Sequence, residues 1–254
     1  MKYNTGIFNA EILEIDNTRY IHFINIKEVG ADLQALIDKH IVSICDSEDD
    51  TPIEIIKKEL KKFFQKKDIT TKMGAIAEFI VHLYLKEIGF NQECLFLNLE
   101  ENSIKKGFDG YYTFSSEEWI MESKSGSINT AGISHKKKLK EAFLDLEDKI
   151  GGNASNNPWK NAFNHAKNVG SSEDILKNIK KLSNMYILQN YPNMLELNII
   201  PSSTIFHEDT WLHQNVQNDH SEANKAISEM QFRKINAICI NKKSVLKLLD
   251  NLIN

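Results

Sequence analysis

The clearest helical periodicity in the chain runs from residue 71 to 88, where Ile76, Phe79, Ile80, Leu83 and Leu85 share one side and Gly89 stands as a stop. Two further helices are expected upstream. Leu33, Leu36, Ile37, Ile41 and Ile44 keep helical spacing between Asp32 and Ile44. Ile53, Ile56, Leu60, Phe63 and Phe64 form a second stripe behind Pro52, a residue suited to a helix start. Ahead of both, residues 8 to 15 and 18 to 26 alternate in places, as in Tyr20-Ile21-His22-Phe23-Ile24, with Asp16-Asn17 between them. That pattern predicts a β-hairpin.

Downstream, Cys94 to Leu97 reads as a strand, and Tyr111 to Phe114 is an aromatic run. Trp119 to Lys124 reads as a strand that puts Glu122 and Lys124 on one face, since residues i and i+2 of a strand point the same way. A lysine-rich helix follows to about Lys149, then a Gly/Asn/Pro loop over 151 to 158. Helices are expected at 159 to 168 and 172 to 190, and Met194 to Phe206 supplies a β-run, Leu195 to Ile200, ahead of Pro201. The end reads as a strand over 235 to 240, a capping Ser244 and a closing helix to Ile253. Helices interleaved with strands behind a front hairpin predict an α/β (α+β) fold, a mixed central sheet flanked by helices, as one domain over 1 to 254. Residues 1 to 70 would pack on a core formed by 71 to 150, and 151 to 254 would complete it.

Composition adds a well-filled core, with 41% hydrophobic and 26% charged residues among 254. The net charge of −4 argues against a chain that coats nucleic acid unaided. Basic character is local instead, along Lys57, Lys58, Lys61, Lys62, Lys66 and Lys67, and again at Lys136, Lys137, Lys138 and Lys140. Cys45, Cys94 and Cys239 are odd in number and far apart, as expected of free thiols in a reducing compartment. Without a signal-peptide core or an apolar run of membrane-spanning length, the expected location is the cytoplasm.

Candidate chemistry concentrates in Gly107-Phe108-Asp109-Gly110 and in Met121-Glu122-Ser123-Lys124, with twelve residues between Asp109 and Glu122. Two carboxylates and an ammonium would converge where neighbouring strands meet. Hard cations such as Mg²⁺ take a few oxygen ligands and keep waters, so two carboxylates and a substrate phosphate make a metal site. A lysine beside them can orient the attacking water or offset charge on the phosphate. Glu78 offers a third carboxylate among the apolar residues of its helix, where a carboxylate is costly unless paired or metal-bound. His207, Glu208, Asp209, His213, Asp219 and His220 form a histidine–acid cluster that follows no recognised metal spacing.

Asp, then Glu-x-Lys on the next strand, behind a helical Gly-x-x-x-Glu, resembles the PD-(D/E)xK nuclease core, with Phe108-Asp109 in place of the proline-aspartate. The wider pattern, firmest over residues 70 to 150, is similar to the HamA family, the nuclease subunits of the bacterial Hachiman anti-phage system. The resemblance implies a metal-dependent DNA endonuclease. Asp109 and Glu122 would hold Mg²⁺ or Mn²⁺, Lys124 would serve the attacking water, and Glu78 would complete or orient the metal shell. It also implies the helicase HamB as partner, and Lys136, Lys137, Lys138 and Lys140 as a patch for DNA phosphates. The competing expectation is a non-catalytic subunit that binds and regulates a helicase.

Overall fold

The computed structural model describes residues 4–46, 50–98, 103–104, 107–211 and 216–253. In chain order the elements are β1 (Glu11–Asp16), β2 (Arg19–Ile26), α1 (Ala31–Cys45), α2 (Ile53–Gln65), α3 (Ile69–Glu87), β3 (Asn91–Gln92), β4 (Leu97–Asn98) and β5 (Ser103–Ile104). Then come β6 (Gly110–Phe114), β7 (Glu117–Ser127), α4 (His135–Ile150), α5 (Pro158–Asn168) and α6 (Glu173–Ile187). β8 (Asn198–Phe206), α7 (Val216–Ser228), β9 (Lys234–Lys242) and α8 (Val245–Ile253) close the chain. The fold is α/β, a mixed seven-stranded sheet with helices on both faces.

The sheet order is β1-β2-β9-β8-β7-β6-β3. Strands β2, β9, β8 and β7 run parallel, and the antiparallel pairs β1–β2 and β6–β7 lie outside them. The parallel strands are covered on both sides, so they lose the apolar–polar alternation of a half-exposed sheet. All nine residues of β8 are buried. Its polar members, Asn198, Ser202, Ser203 and Thr204, interrupt the apolar pattern of the strand.

Each face has its own core. Helices α1, α2, α3 and α8 pack on one face, through residues such as Ile41, Phe63, Phe79 and Leu248 against Tyr112, Trp119 and Met121. Helices α4, α5, α6 and α7 pack on the other, through Leu139, Trp159, Ile179 and Ala223 against Tyr111, Ile120 and Ile199. Successive residues of β7 divide between the two: Trp119 and Met121 belong to the first core, Ile120 to the second. Caps set the two helices that matter most. The Asp68 carboxylate accepts from Thr71 N–H at 2.7 Å at the start of α3, and Ser134 Oγ accepts from Lys137 N–H at 3.2 Å at the start of α4.

Three expectations differ from the structure. Pro201 lies inside β8 rather than past a strand. The β8–β9 ladder skips Ile200 and Pro201 and resumes at Ser202↔Ile238, the interruption expected where a residue has no N–H to give. The segment Cys94 to Leu97 is not one strand, because its hydrogen bonds go elsewhere. Phe96 N–H donates to Ile44 O at 2.9 Å, and Cys94 Sγ accepts from Tyr111 N–H at 3.0 Å. Helix α7 had no counterpart in the sequence reading. All three cysteines are free and buried, as expected.

Candidate active site

The centre is built on the hairpin β6–β7. Phe114 pairs with Glu117 across the two-residue turn Ser115-Ser116, whose φ angles of 48° and 63° are those of a hairpin turn that follows the twist of its strands. The register carries on to Gly110↔Met121, which sets Asp109 beside Glu122 at the end of the ladder. Asp109 Oδ2 accepts the N–H of Ser123 at 2.8 Å and is thereby held against β7. Gly110 is required here, since a Cβ at this position would meet Tyr112 Cε2 at 2.4 Å.

Glu122 follows Met121 and so points to the α4 face, where it is 1% exposed. Each of its oxygens carries an ammonium: Lys124 Nζ lies 2.9 Å from Oε1, and Lys149 Nζ lies 2.6 Å from Oε2. Asp145 is ion-paired with Lys124 and sits 3.5 Å from Lys149, one turn further along α4. Behind the carboxylate, Ser202 Oγ donates to the backbone carbonyl of Glu122 at 3.1 Å, next to Pro201 in the adjacent strand. The centre is reached from the Lys124 and Asp145 side, where the two side chains are 29% and 34% exposed.

Burial and the neighbouring Asp109 carboxylate push Glu122 well above the usual carboxylate range, against the pull of Lys149 and Lys124. Partial burial opposes the charge on Asp145, but hydrogen bonds from Glu122 and Lys124 hold it down at about 2. Burial likewise opposes the charges on Lys124 and Lys149, yet Glu122 and its companions hold both ammonium groups above their ordinary value. The result is a compact cluster of three carboxylates and two cations, largely withdrawn from water.

The structure therefore brings Asp109, Glu122 and Lys124 together, and adds Asp145 and Lys149, which sequence reading passed over. Their signal was present. Asp145 and Lys149 stand four apart, each beside a residue of the buried stripe Leu139, Ala142, Leu146 and Ile150. Glu78 is on α3, 4% exposed, with His82 Nε2 at 3.4 Å from its Oε1. His82 Nδ1 is in turn hydrogen-bonded to the Tyr112 hydroxyl, within the first core. Burial, then the charges of Cys94, Glu78 and Asp109, push that hydroxyl well above its ordinary value.

Among the four lysines expected to face DNA, three are tied to acids of this chain: Lys136 to Glu222 at 2.8 Å, Lys138 to Glu141 at 2.5 Å, and Lys140 to Glu229. Lys137 is exposed. Lys138 also reaches inward, because a Cβ on Gly126 would meet its Cε at 3.2 Å. The histidine–acid cluster is divided. His207 Nε2 is 2.8 Å from Asn241 Oδ1, Glu208 Oε1 accepts Val245 N–H at 3.0 Å, and the His220 ring lies 4.0 Å from that of Phe23. His213 lies outside the described residues.

Among the described residues, no group of three His, Cys, Asp or Glu side chains is arranged to enclose a metal ion. The donors at hand suit Mg²⁺ or Mn²⁺ in another way. Asp109 and Glu122 supply hard oxygens from one side, which leaves the remaining positions for water and phosphate, the usual arrangement for a small cation that dehydrates reluctantly. The residues fit the group.

Fold and site together define an α/β protein whose central hairpin carries an Asp and a Glu-x-Lys set against a helix bearing Asp and Lys. The HamA family model matches residues 2–254, and the chain belongs to that family, which makes it a protein of the Hachiman defence system. No curated protein matches the chain. Among the described residues, no helix is long and apolar enough to cross a membrane.

Proposed function

We propose that this chain is a metal-dependent DNA endonuclease, the effector of its defence system, working under the control of the partner helicase HamB. The observation that carries the reading is the convergence of Asp109 and Glu122 beside Lys124 on one hairpin, with the Glu122 carboxylate buried. A buried carboxylate with two cations on it is expensive to maintain for stability alone. It is what a hydrolytic centre needs. Asp109 and Glu122 would hold Mg²⁺ or Mn²⁺, which when bound polarises a phosphoryl oxygen and lowers the pKa of a bound water. Lys124, fixed between Glu122 and Asp145, orients the attacking water and offsets charge on the phosphoryl oxygens. Glu78 acts by position, through His82 and Tyr112, on the strand that leads from Asp109.

The test is degradation of plasmid DNA with Mg²⁺, by the chain alone and with its helicase, beside the Glu122→Ala/Lys124→Ala variant. Cleavage that needs the intact pair and changes with the helicase supports the reading. Wild type and variant behaving alike in both settings would return residues 107 to 124 to architecture and favour a non-catalytic subunit.

A further inference from the structure

We propose that Lys149 is a catalytic residue of this centre, a second cation that faces the scissile phosphodiester across from Lys124. The inference rests on the nuclease reading above and assigns a group that reading leaves out. Three observations carry it. Lys149 Nζ holds the Oε2 of Glu122 at 2.6 Å while Lys124 holds the Oε1 at 2.9 Å, so one carboxylate has an ammonium at each end. The Lys149 side chain is only 17% exposed, unusual for a residue that prefers to keep its head in water, and it lies toward β7 together with Asp145. Its Nζ is also 3.5 Å from Asp145, which keeps it within the centre when Glu122 is engaged elsewhere.

Charge decides what such a pair is for. With Glu122 ionised, as a group that holds a cation must be, three carboxylates against two ammonium groups leave one negative charge uncompensated. A divalent cation turns that into one positive charge, and the single negative charge of an internal phosphodiester then brings the centre to neutrality. Without Lys149 the loaded centre would be neutral, with nothing left to draw in the diester. A terminal phosphomonoester, carrying up to two charges, matches less well. In the step itself the oxygen of water bonds to phosphorus, and the bond to the leaving oxygen breaks with its electron pair. The proton of the water passes to solvent, and the leaving oxygen takes one from solvent. Lys149 keeps its proton throughout and offsets charge on the phosphoryl oxygens, where preorganised cations contribute most.

The oxygen held by Lys149 is also one by which Glu122 would hold a cation, so ammonium and metal compete for it. That gives a readout independent of activity. Calorimetric titration of the full chain with Mn²⁺ alone is made for wild type, Lys149→Ala, Lys149→Arg and Glu122→Ala, followed by single-turnover cleavage of plasmid DNA at saturating Mn²⁺. Lys149→Ala is expected to bind Mn²⁺ at least as tightly as wild type and yet cleave roughly 100-fold more slowly. Lys149→Arg is expected to recover part of that rate. Should Lys149→Ala not fold, Lys149→Gln takes its place. A variant without the ammonium that binds Mn²⁺ and cleaves at the wild-type rate would overturn the role of Lys149 and leave the nuclease reading intact. Mn²⁺ binding that survives Glu122→Ala, or a wild type that does not cleave with or without its helicase, would overturn the reading beneath it.

Discussion

The two faces of the sheet bury polar groups in opposite ways. On the α3 face the groups are joined to one another by hydrogen bonds: Glu78 to His82, His82 to Tyr112, and His22 Nδ1 to the Tyr84 hydroxyl at 2.7 Å. His82, Tyr84 and Tyr112 are fully buried. On the α4 face the groups are charged, opposed in sign and open to solvent along one side, at Lys124 and Asp145. A closed network rigidifies a core and gives a substrate nothing to approach. An open cluster of charges costs stability and offers chemistry. The same strands, β6 and β7, carry both, one on each face, and this is the division between what holds the fold and what the fold is for.

The sharpest way to break that division is to remove Glu122. Glu122→Ala should lower DNA cleavage by at least about 1000-fold, as loss of a metal-holding carboxylate does in a site that works by electrostatic stabilisation, while thermal unfolding stays close to wild type. A protein that unfolds instead would show the α4 face to be structural after all.

Acid tests both faces together. Burial holds His22 and His135, one on each face, down at about 4, well below the ordinary value of 6.5. The unfolded chain takes up these protons near its ordinary value and the folded chain does not, so stability is full above that range and falls as pH drops toward 4. Each imidazole contributes about 3 kcal/mol to this loss. Denaturant midpoints measured between pH 7 and 4 should fall steeply, and His22→Phe should make the curve shallower.

Glu78→Gln separates the faces from the other side. It keeps the shape of the relay and removes its charge, so it should cost about 1–3 kcal/mol of stability, by the loss of a charged partner for His82, with cleavage per folded molecule retained within a few-fold. Abolished cleavage in a fully folded variant would mean that Glu78 belongs to the metal shell. The smallest effect is expected at the turn. Ser115 and Ser116 hold positive φ angles that asparagine and glycine adopt more readily, so Ser115→Asn with Ser116→Gly should raise stability by about 1 kcal/mol and leave cleavage unchanged.

Much of this arrangement could be read from the chain. Apolar spacing located α1, α2 and α3 to within a few residues, and alternation located β1 and β2, although β2 and the middle of α3 are buried nearly all round. Asp109, Glu122 and Lys124 were legible because their chemistry sits in a short, turn-flanked pattern. What was hidden depends on tertiary contacts. β8 is buried on both faces, so its serines and Pro201 gave no periodic signal. The segment after Gln92 spends its hydrogen bonds on α1 and β6. The lysines at the head of α4 drew attention by their number, whereas Asp145 and Lys149 are single residues whose meaning comes from the strand they lie against. Glu78 stood out as a carboxylate among apolar residues, and it lies 3.4 Å from His82 in the first core.

The two-residue turn between β6 and β7 has a consequence in time. Asp109 and Glu122 meet through a tight hairpin, a closure that takes on the order of 1–10 μs and fixes few residues. Lys149 reaches them only after α4 has docked, and α4 packs against β8 as well as β7. β8 joins its neighbours in parallel, across a long connection that is slow to close. Asp109, Glu122 and Lys124 are thus assembled locally and early, two like charges against one cation, and Asp145 and Lys149 arrive with the last layer of the fold. A chain interrupted before that point carries Asp109 and Glu122 in place but not the Lys149 ammonium that completes the charge balance of the centre.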